Sequence, residues 1–432
     1  MTPIRPRVHW VSPIPHAETD IGHYTARILP ELAEHCDLVL WTDALTWDRS
    51  LERYCTIRQL DPDHILPRDF AAALPGQGID TVFVHIGNSW VFHAGFLRLV
   101  QRIPSVIVLH DLAIQELTID AIRNNLFDRQ SYEAEMRRWY GPDGLTRAQD
   151  VLDDKLPTLK IVKDMPGFET TLNRAVSVLT HTPAAFEAVQ ARAAVPAYRL
   201  DLPFRPSAAA PTAARARQGP LKFAQFGYIG PNRRLMQVLD VLGALAGEID
   251  FQFDIMGNVW DPSRVTRHIK ALGLQDRVTL HGFVAERELD ARLRAAHLIF
   301  NLRHPTMGEA SGTQLRVWNA AAACVVTDAG WYGSLPEDAV FKIPLADEAQ
   351  ALTRLLRAIA ADPAIVEPVG AAGRAQLEAR HTPARYAQSI AYVARRFGED
   401  AGASVLGQAG RRALATMAGS DPLLAAALEP RL

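Results

Sequence analysis

The residues best placed to do chemistry lie in Asn301 to Pro336, NLRHPTMGEASGTQLRVWNAAAACVVTDAGWYGSLP. An apolar run, His297 to Phe300, leads into it and a second, Cys324 to Val326 with Thr327, lies within it, so the stretch reads as strand, polar loop, helix and strand. The loop Gly308-Glu309-Ala310-Ser311-Gly312-Thr313 combines a carboxylate, small residues that let a ligand reach the backbone, and hydroxyls where a helix should begin. A helix start exposes unpaired N–H groups and the positive end of the dipole, which suits a phosphate. Ionised Glu309 only accepts hydrogen bonds, so it suits sugar hydroxyls better than phosphate oxygens. Together these residues point to a sugar bearing a phosphate. The competing reading makes Ser311 or Thr313 a plain helix cap and Glu309 a solvated loop acid.

A second constellation is Phe226-Gly227-Tyr228-Ile229-Gly230-Pro231-Asn232-Arg233-Arg234, between an apolar run and a helical pattern. Glycine lets a ligand approach the backbone, and Arg233 and Arg234 at a helix start offer fixed positive charge for a diphosphate, although an arginine pair is also common in a solvated basic turn. The G-x-G-x-x-G dinucleotide fingerprint is absent both here and after Ser12, which weighs against an oxidoreductase. His110-Asp111 closes the run SVIVLHD, where an imidazole can act as a base or accept a hydrogen bond from a hydroxyl, or can simply fix its own loop. His85, Asn88 and His93 belong to a second polar strand end, HIGNSWVFH, with loop-fixing and acceptor-side roles both open. Asp61-Pro62-Asp63 reads as a turn rather than a metal site. In Gly308 to Gly312 the serine stands one residue too late for a nucleophile elbow, and no P-loop or H-E-x-x-H occurs.

These residues need a scaffold, and 432 residues exceed one ordinary core, so two domains are expected. Hydrophobic content of 48% and charged content of 22% are those of a globular protein, and a net charge of −2 gives no electrostatic reason to expect nucleic acid. Cys36, Cys55 and Cys324 are too few and too scattered for a disulfide framework or a zinc site, which favours a cytoplasmic setting. Residues 1–15 lack the signal-peptide pattern, and no apolar stretch is long enough to span a bilayer. Short β-rich runs (RVHWVS, CDLVLWTD, CTIRQL, TVFVHIG, SVIVLHD, SVLTHT) alternate with helical patterns at Tyr24–Ala33 and Phe168–Ala175, and Ile119–Asp154 reads as helices inserted over the strand ends. Pro206 to Pro220 has the composition of a linker. The alternation then restarts with LKFAQFG, FQFDIMG, RVTLHG, HLIFNLR and AVFKIP around helices at Leu235–Leu245, Val265–Leu272 and Glu286–Ala295, and helical, alanine-rich sequence follows through Ala349–Ala360, Ile365–Ala379 and Pro383–Phe397. The last residues, from Gly398, fit either a docked amphipathic helix or a frayed tail.

From Phe226 to Pro344 the order GYIGPNRRL, DIMGN, LGLQDRVTLHGFV, NLRHPTMGEASG and VVTDAGWYGSLPEDAVFKI resembles the retaining GT-B glycosyltransferases, glycosyltransferase group 1, and HPTMGEASG resembles a subgroup with a P-T-M-G-E-x-S-G loop. The resemblance implies an α/β fold of two Rossmann-like doubly wound domains facing across a cleft. It divides the chain into an acceptor-side domain over 1–205, a linker over 206–220, a nucleotide-sugar domain over 221–380, and helices over 381–432 that pack back on the first domain. By the same resemblance Glu309 is the first glutamate of E-x7-E and contacts the donor sugar. Gly227, Arg233, Arg234, Asn258, Ser311, Gly312 and Thr313 hold the donor, Val284 meets its base through the backbone, and His110 stands near the reacting sugar. Tyr24 and Asn88 fall on the acceptor side. Three departures stand out: Val317 replaces the second glutamate, Tyr228 stands where relatives carry arginine, and Asp20 replaces the glycine of a G-I-x-x-Y turn.

The implied activity is transfer of a hexose or deoxyhexose from a nucleoside-diphosphate sugar to a hydroxyl of a glycan or lipid-linked acceptor, with retention, no metal and no cofactor beyond the donor. Glycan or envelope polysaccharide assembly in the cytoplasm, with peripheral contact at the inner face of the membrane, is the implied setting. Val317 and Tyr228 motivate the alternative, a non-catalytic sugar-nucleotide-binding subunit that supports a partner transferase. Epimerisation or phosphorolysis of the sugar nucleotide is a third reading.

Overall fold

The computed structural model describes residues 5–17, 19–70, 80–207 and 219–420, the side chains of 408 and 411–420 excepted. By its contacts the chain divides into two compact units. The first comprises the chain up to Pro203, the short segment Met307–Ala310 and the chain from Pro383 onward; the second comprises Phe204–Thr306 and Ser311–Thr382. Most of the expected linker, residues 208–218, lies outside the described residues. Ser207 at its start is held by the second unit, where Arg374 donates to its carbonyl (2.8 Å) and to the Asn319 side chain (2.8 Å).

The first unit is a sheet of β1 (Arg7–Val11), β2 (Asp37–Thr42), β3 (Thr56–Gln59), β4 (Asp80–Ile86), β5 (Ser105–Leu109), β6 (Ala175–Thr180) and β7 (Ala197–Arg199). Its order is β3-β2-β1-β4-β5-β6-β7 and every pairing is parallel. The central strands are buried at nearly every residue, because helices cover both faces of a parallel sheet; this is why they read as unbroken apolar runs and not as alternating ones. The helices are α1 (Asp20–His35), α2 (Trp90–Val100), α3 (Gln115–Arg123), α4 (Arg129–Leu152) and α5 (Pro183–Ala191). The Thr19 hydroxyl caps α1, so the chain turns helical at Asp20, four residues earlier than the apolar pattern places it. Helices α2 and α5 and strand β7 are additions to the sequence reading. Phe168–Arg174 is a 3₁₀ run, not an α-helix.

Helices α3 and α4 form the insertion expected over Ile119–Asp154, with α4 kinked where Gly141 takes φ 70° before Pro142. The pair has a small core of its own, which includes Ile119, Tyr132, Met136, Val151 and Ile161. Helix α4 is tied to the 3₁₀ run before β6 and to the end of α5 by Glu169, a fully buried carboxylate that pairs with Arg192 at 2.6 Å and accepts a short hydrogen bond from the Tyr140 hydroxyl. Burial pushes the Glu169 carboxyl up, while Arg192 and Tyr140 pull it back.

The second unit is a parallel sheet of β8 (Leu221–Phe226), β9 (Phe251–Met256), β10 (Val278–Gly282), β11 (Leu298–Asn301), β12 (Cys324–Thr327) and β13 (Phe341–Ile343), in the order β10-β9-β8-β11-β12-β13. Its helices are α6 (Leu235–Leu245), α7 (Pro262–Ala271), α8 (Glu286–Ala295), α9 (Gly312–Asn319), the short α10 (Gly330–Gly333), α11 (Glu348–Ala361) and α12 (Val366–Arg380). Leu235, Leu239 and Leu242 fall on one face of α6 and are buried against the sheet, where Phe223, Phe251, Phe253 and Phe300 meet in tilted and edge-to-face contacts.

After α12 the chain returns to the first unit as one long helix, α13 (Pro383–Ser420), which runs past the expected end at Phe397. Its attachment is made by hydrogen bonds as well as apolar burial: Tyr24 to Tyr386, the Thr81 hydroxyl to the Ala394 carbonyl (3.1 Å), Tyr198 to Asp400 (2.7 Å) and the Ser404 hydroxyl to the Ala175 carbonyl (2.8 Å). Residues 421–432 lie outside the described residues. No helix among the described residues is long and apolar enough to cross a membrane.

Removing one partner from a buried ion pair costs about 3–5 kcal/mol. Arg192 is partly solvated, so Glu169→Gln should lower stability by about 3 kcal/mol, read as a fall in the urea midpoint. An unchanged midpoint would show that the insertion is held by its apolar contacts alone.

Candidate active site

In the second unit, β9 and β10 lie on one side of β8, and β11, β12 and β13 lie on the other. The direction of winding therefore reverses between β8 and β11, and ligands of open α/β sheets bind beyond the carboxyl ends of the strands at such a point. The loops leaving these two strands carry the expected donor residues. Gly227 follows β8 at φ 95°, and a β-carbon there would stand 3.7 Å from the Thr313 hydroxyl. Gly257, at φ 117°, leaves no alternative to glycine, since a β-carbon would lie 2.2 Å from the Gly227 carbonyl oxygen. The β11 loop is fastened to the β8 loop by the His304 N–H, which donates to the Asn232 carbonyl at 2.8 Å.

Ser311 caps α9, its hydroxyl accepting from the Gln314 N–H at 3.1 Å, and it is buried. The capping role weighed for it in the sequence is the one its hydroxyl performs. Gly312 and Thr313 remain as the first two helical residues, with N–H groups outside the helical ladder, and a β-carbon at Gly312 would meet open space.

Arg233 is buried at 2% exposure, its guanidinium donating to the Phe226 carbonyl at 3.1 Å and its own carbonyl accepting from Gln225 at 2.9 Å. It places a buried positive charge at the carboxyl end of β8. Arg234 departs from expectation: it takes φ 59°, and its guanidinium is committed to Glu348 through both carboxylate oxygens at 3.1 Å. Its role is to tie the α6 start to α11. Asn258 is exposed, with its carbonyl accepting from the Ile229 N–H at 2.8 Å, and Val284 is half-buried after β10. Tyr228, noted in the sequence as a departure, is exposed on the loop after β8, and sequence reasoning did not single out two further exposed aromatic side chains, Trp260 and Phe283, on the loops after β9 and β10. An aromatic residue just past a strand-end glycine was the signal available.

Glu309 belongs by its contacts to the first unit. Its loop tip is held where the Ala113 N–H donates to the Met307 carbonyl (2.8 Å) and the Thr182 hydroxyl to the Gly308 carbonyl (3.0 Å). Gly308 must be glycine, because at φ 75° a β-carbon would come within 2.5 Å of the Leu112 side chain. The Glu309 carboxylate is buried and accepts from the Met307 N–H at 2.7 Å, so it is not the solvated acid of the competing reading.

His110, just past β5, joins a ring cluster with His85 on β4, His181 past β6, Tyr24 on α1 and Tyr386 on α13. The His85 and His110 centroids lie 5.1 Å apart, as do those of His110 and His181, and the Tyr24 ring meets His110 edge-on at 5.2 Å. Burial, and then the neighbouring histidines, hold His110 and His85 well below the ordinary imidazole range; burial brings His93, in the first turn of α2, down to about 4. All three are neutral at pH 7. Tyr24 departs from its acceptor-side expectation, since it is buried with its hydroxyl given to Tyr386. Asn88 does so too: its side chain donates to Glu116 (2.6 Å) and accepts from the Leu117 N–H (3.1 Å), while its N–H donates to Asp111 (2.8 Å), so it fixes the loop to α3.

Residues 233–391, under half of the chain, match the family model described as "Glycosyl transferase-like". No curated relative matches the chain. Among solved structures, sucrose-phosphate synthase from Thermosynechococcus elongatus matches with a TM-score of 0.60 at 15% identity, over 91% of this chain and 100% of that one. HepE of Anabaena, solved in complex with UDP, matches with a TM-score of 0.56 at 13% identity, over 90% of this chain and 99% of that one. WaaG, a glycosyltransferase involved in lipopolysaccharide biosynthesis, gives 0.56 at 12% identity, over 89% and 99%. The fold is GT-B. In this GT-B chain Val317, eight residues after Glu309, is fully buried inside α9, so no side chain is presented to solvent there.

The buried histidines set an acid limit on stability. A histidine whose folded value lies below the ordinary 6.5 binds fewer protons in the folded state, so stability is full above 6.5 and falls as pH drops toward the folded value. For His93, between 6.5 and about 4, the loss is roughly 3 kcal/mol. The urea midpoint should therefore fall steadily from pH 7 to pH 4.5, with a shallower slope in His93→Gln. A midpoint independent of pH over that range would contradict the neutral cluster.

Proposed function

We propose that this chain is a retaining glycosyltransferase that moves a hexose or deoxyhexose from a nucleoside-diphosphate sugar to a hydroxyl acceptor, without a metal ion. The observation that carries the reading is the winding reversal of the second unit, where open backbone at Gly227 meets the start of α9 at Gly312 and Thr313, with the Arg233 charge buried beside it. The match of residues 233–391 to a glycosyl transferase-like model supports it.

The slow event in such a transfer is departure of the nucleoside diphosphate, which leaves an oxocarbenium-like sugar and builds negative charge on the phosphates. The N–H groups of Gly312 and Thr313, the Thr313 hydroxyl and the Arg233 charge stabilise that growing charge. Each well-aimed donor is worth roughly 2.7–4 kcal/mol in a site shielded from water. Glu309 accepts from sugar hydroxyls. The acceptor hydroxyl attacks on the face the leaving group vacates and passes its proton to the departing phosphate oxygen, which retains the anomeric configuration without a protein nucleophile.

Complexes of HepE with UDP and with UDP-glucose make UDP-hexoses the first donors to try. The part WaaG plays in lipopolysaccharide biosynthesis supports envelope glycans or their lipid-linked precursors as acceptors, reached from the cytoplasmic side. The test is calorimetric titration with UDP, GDP and dTDP, followed by transfer assays with the matching sugars and NMR of the product anomer. Thr313→Val, which keeps shape and loses the hydroxyl, should lower kcat/KM about a hundredfold, consistent with the loss of one such donor, at unchanged thermal stability. Failure to bind any nucleoside diphosphate would overturn the proposal. Binding without turnover on any acceptor would instead favour a non-catalytic sugar-nucleotide-binding subunit, the reading that the buried Val317 supports.

A further inference from the structure

The ring cluster of the first unit contains one direct polar contact between histidines: Nδ1 of His85 lies 2.8 Å from Nε2 of His110. Two imidazoles at this distance share one proton, so the tautomer of one dictates that of the other. His85 is fully buried, and its Nε2 has no hydrogen-bond partner among the described residues; its ring lies 4.4 Å from that of Trp10. A buried N–H without a partner is rarer than a buried lone pair without one, so the His85 proton belongs on Nδ1, where it is donated to His110. Nε2 of His110 then accepts, and the remaining ring proton of His110 sits on Nδ1. His110 is partly exposed, whereas His85, His93 and His181 are buried.

The geometry around the pair removes slack. The His93 ring nitrogen Nδ1 donates to the His85 carbonyl at 3.1 Å, and the His110 N–H donates to the Ile86 carbonyl at 2.9 Å, so both backbones are held across β4 and β5. Tyr24 packs against both rings, at 5.6 Å from His85 and 5.2 Å from His110.

From this geometry we infer that His85 is a positioning residue that fixes the proton of His110 on Nδ1, which makes His110 a hydrogen-bond donor to an oxygen of the bound sugar and not a base. The consequence for turnover rests on the transferase reading above; the tautomer does not.

Two-bond ¹H–¹⁵N correlation spectra of the full chain labelled on histidine read the tautomer without any substrate. His110, assigned by its loss in His110→Asn, should show a protonated Nδ1 and a bare Nε2. In His85→Phe, which fills the site and removes the donor, His110 should revert to the Nε2-protonated form. His85→Asn, whose amide can stand in for Nδ1–H, should restore the native pattern. With a turned-over donor, His85→Phe should lower kcat about tenfold at nearly unchanged KM, and His85→Asn should recover most of the loss. A wild-type His110 protonated on Nε2, or a pattern unmoved by His85→Phe, would overturn the inference. Should His85→Phe fail to fold, the wild-type spectrum and His85→Asn still decide it. Absence of any transferase activity alongside the expected spectra would count against the function and leave the tautomer standing.

Discussion

The carbonyl of Gly227 stands where a β-carbon on residue 257 would have to be, and the arrangement of loops at the carboxyl ends of the second unit's strands depends on that approach. With both faces of a parallel sheet buried under helices, the carboxyl ends of the strands are where backbone can meet a ligand. Two glycines in the left-handed region bring the loops of β8 and β9 together, and an amide–carbonyl contact from His304 to Asn232 draws the β11 loop alongside. What results is a stretch of bare backbone beside the start of α9, bordered by a buried arginine. Such a surface is suited to phosphate oxygens because its donors are already oriented and need no rearrangement when charge appears.

Charge is handled differently in the two units. In the second, cations near the crevice are held by fixed acceptors: Arg233 by a main-chain carbonyl, Arg234 by Glu348. In the first, the corresponding layer at the ends of β4, β5 and β6 holds rings, and burial makes protonation of His85 and His110 and ionisation of Tyr24 and Tyr386 costly. A neutral imidazole can donate or accept one hydrogen bond without attracting anions. The segment Met307–Ala310, which carries Glu309, belongs to the first unit although the residues before and after it belong to the second.

Several polar residues that looked available in the chain are already satisfied in the fold. Arg234, Tyr24 and Asn88 each had a residue type suited to a ligand, and each is engaged by another part of the protein. Exposed Tyr228, Trp260 and Phe283 show the opposite pattern, as large apolar rings left in solvent on adjacent strand-end loops. The distinction between the two groups is one of partners, not of residue type.

What the sequence determined by itself was local. Alternating β-rich runs and 3.6-residue patterns imply parallel sheets, and helices such as Leu235–Leu245 and Glu286–Ala295 are readable to the residue because their apolar faces and their ends are encoded within one or two turns. The hydroxyls of Ser311 and Thr313 likewise announce a helix start, and the structure makes Ser311 the cap of α9. Tertiary structure decided the strand order, hence where the winding reverses, and the fate of each polar side chain. The reason is separation along the chain: the Tyr24 hydroxyl finds its partner 362 residues away and Arg234 finds Glu348 114 residues away. No periodicity records such pairings, because they depend on which surfaces the folded sheets bring together and not on the spacing of neighbours.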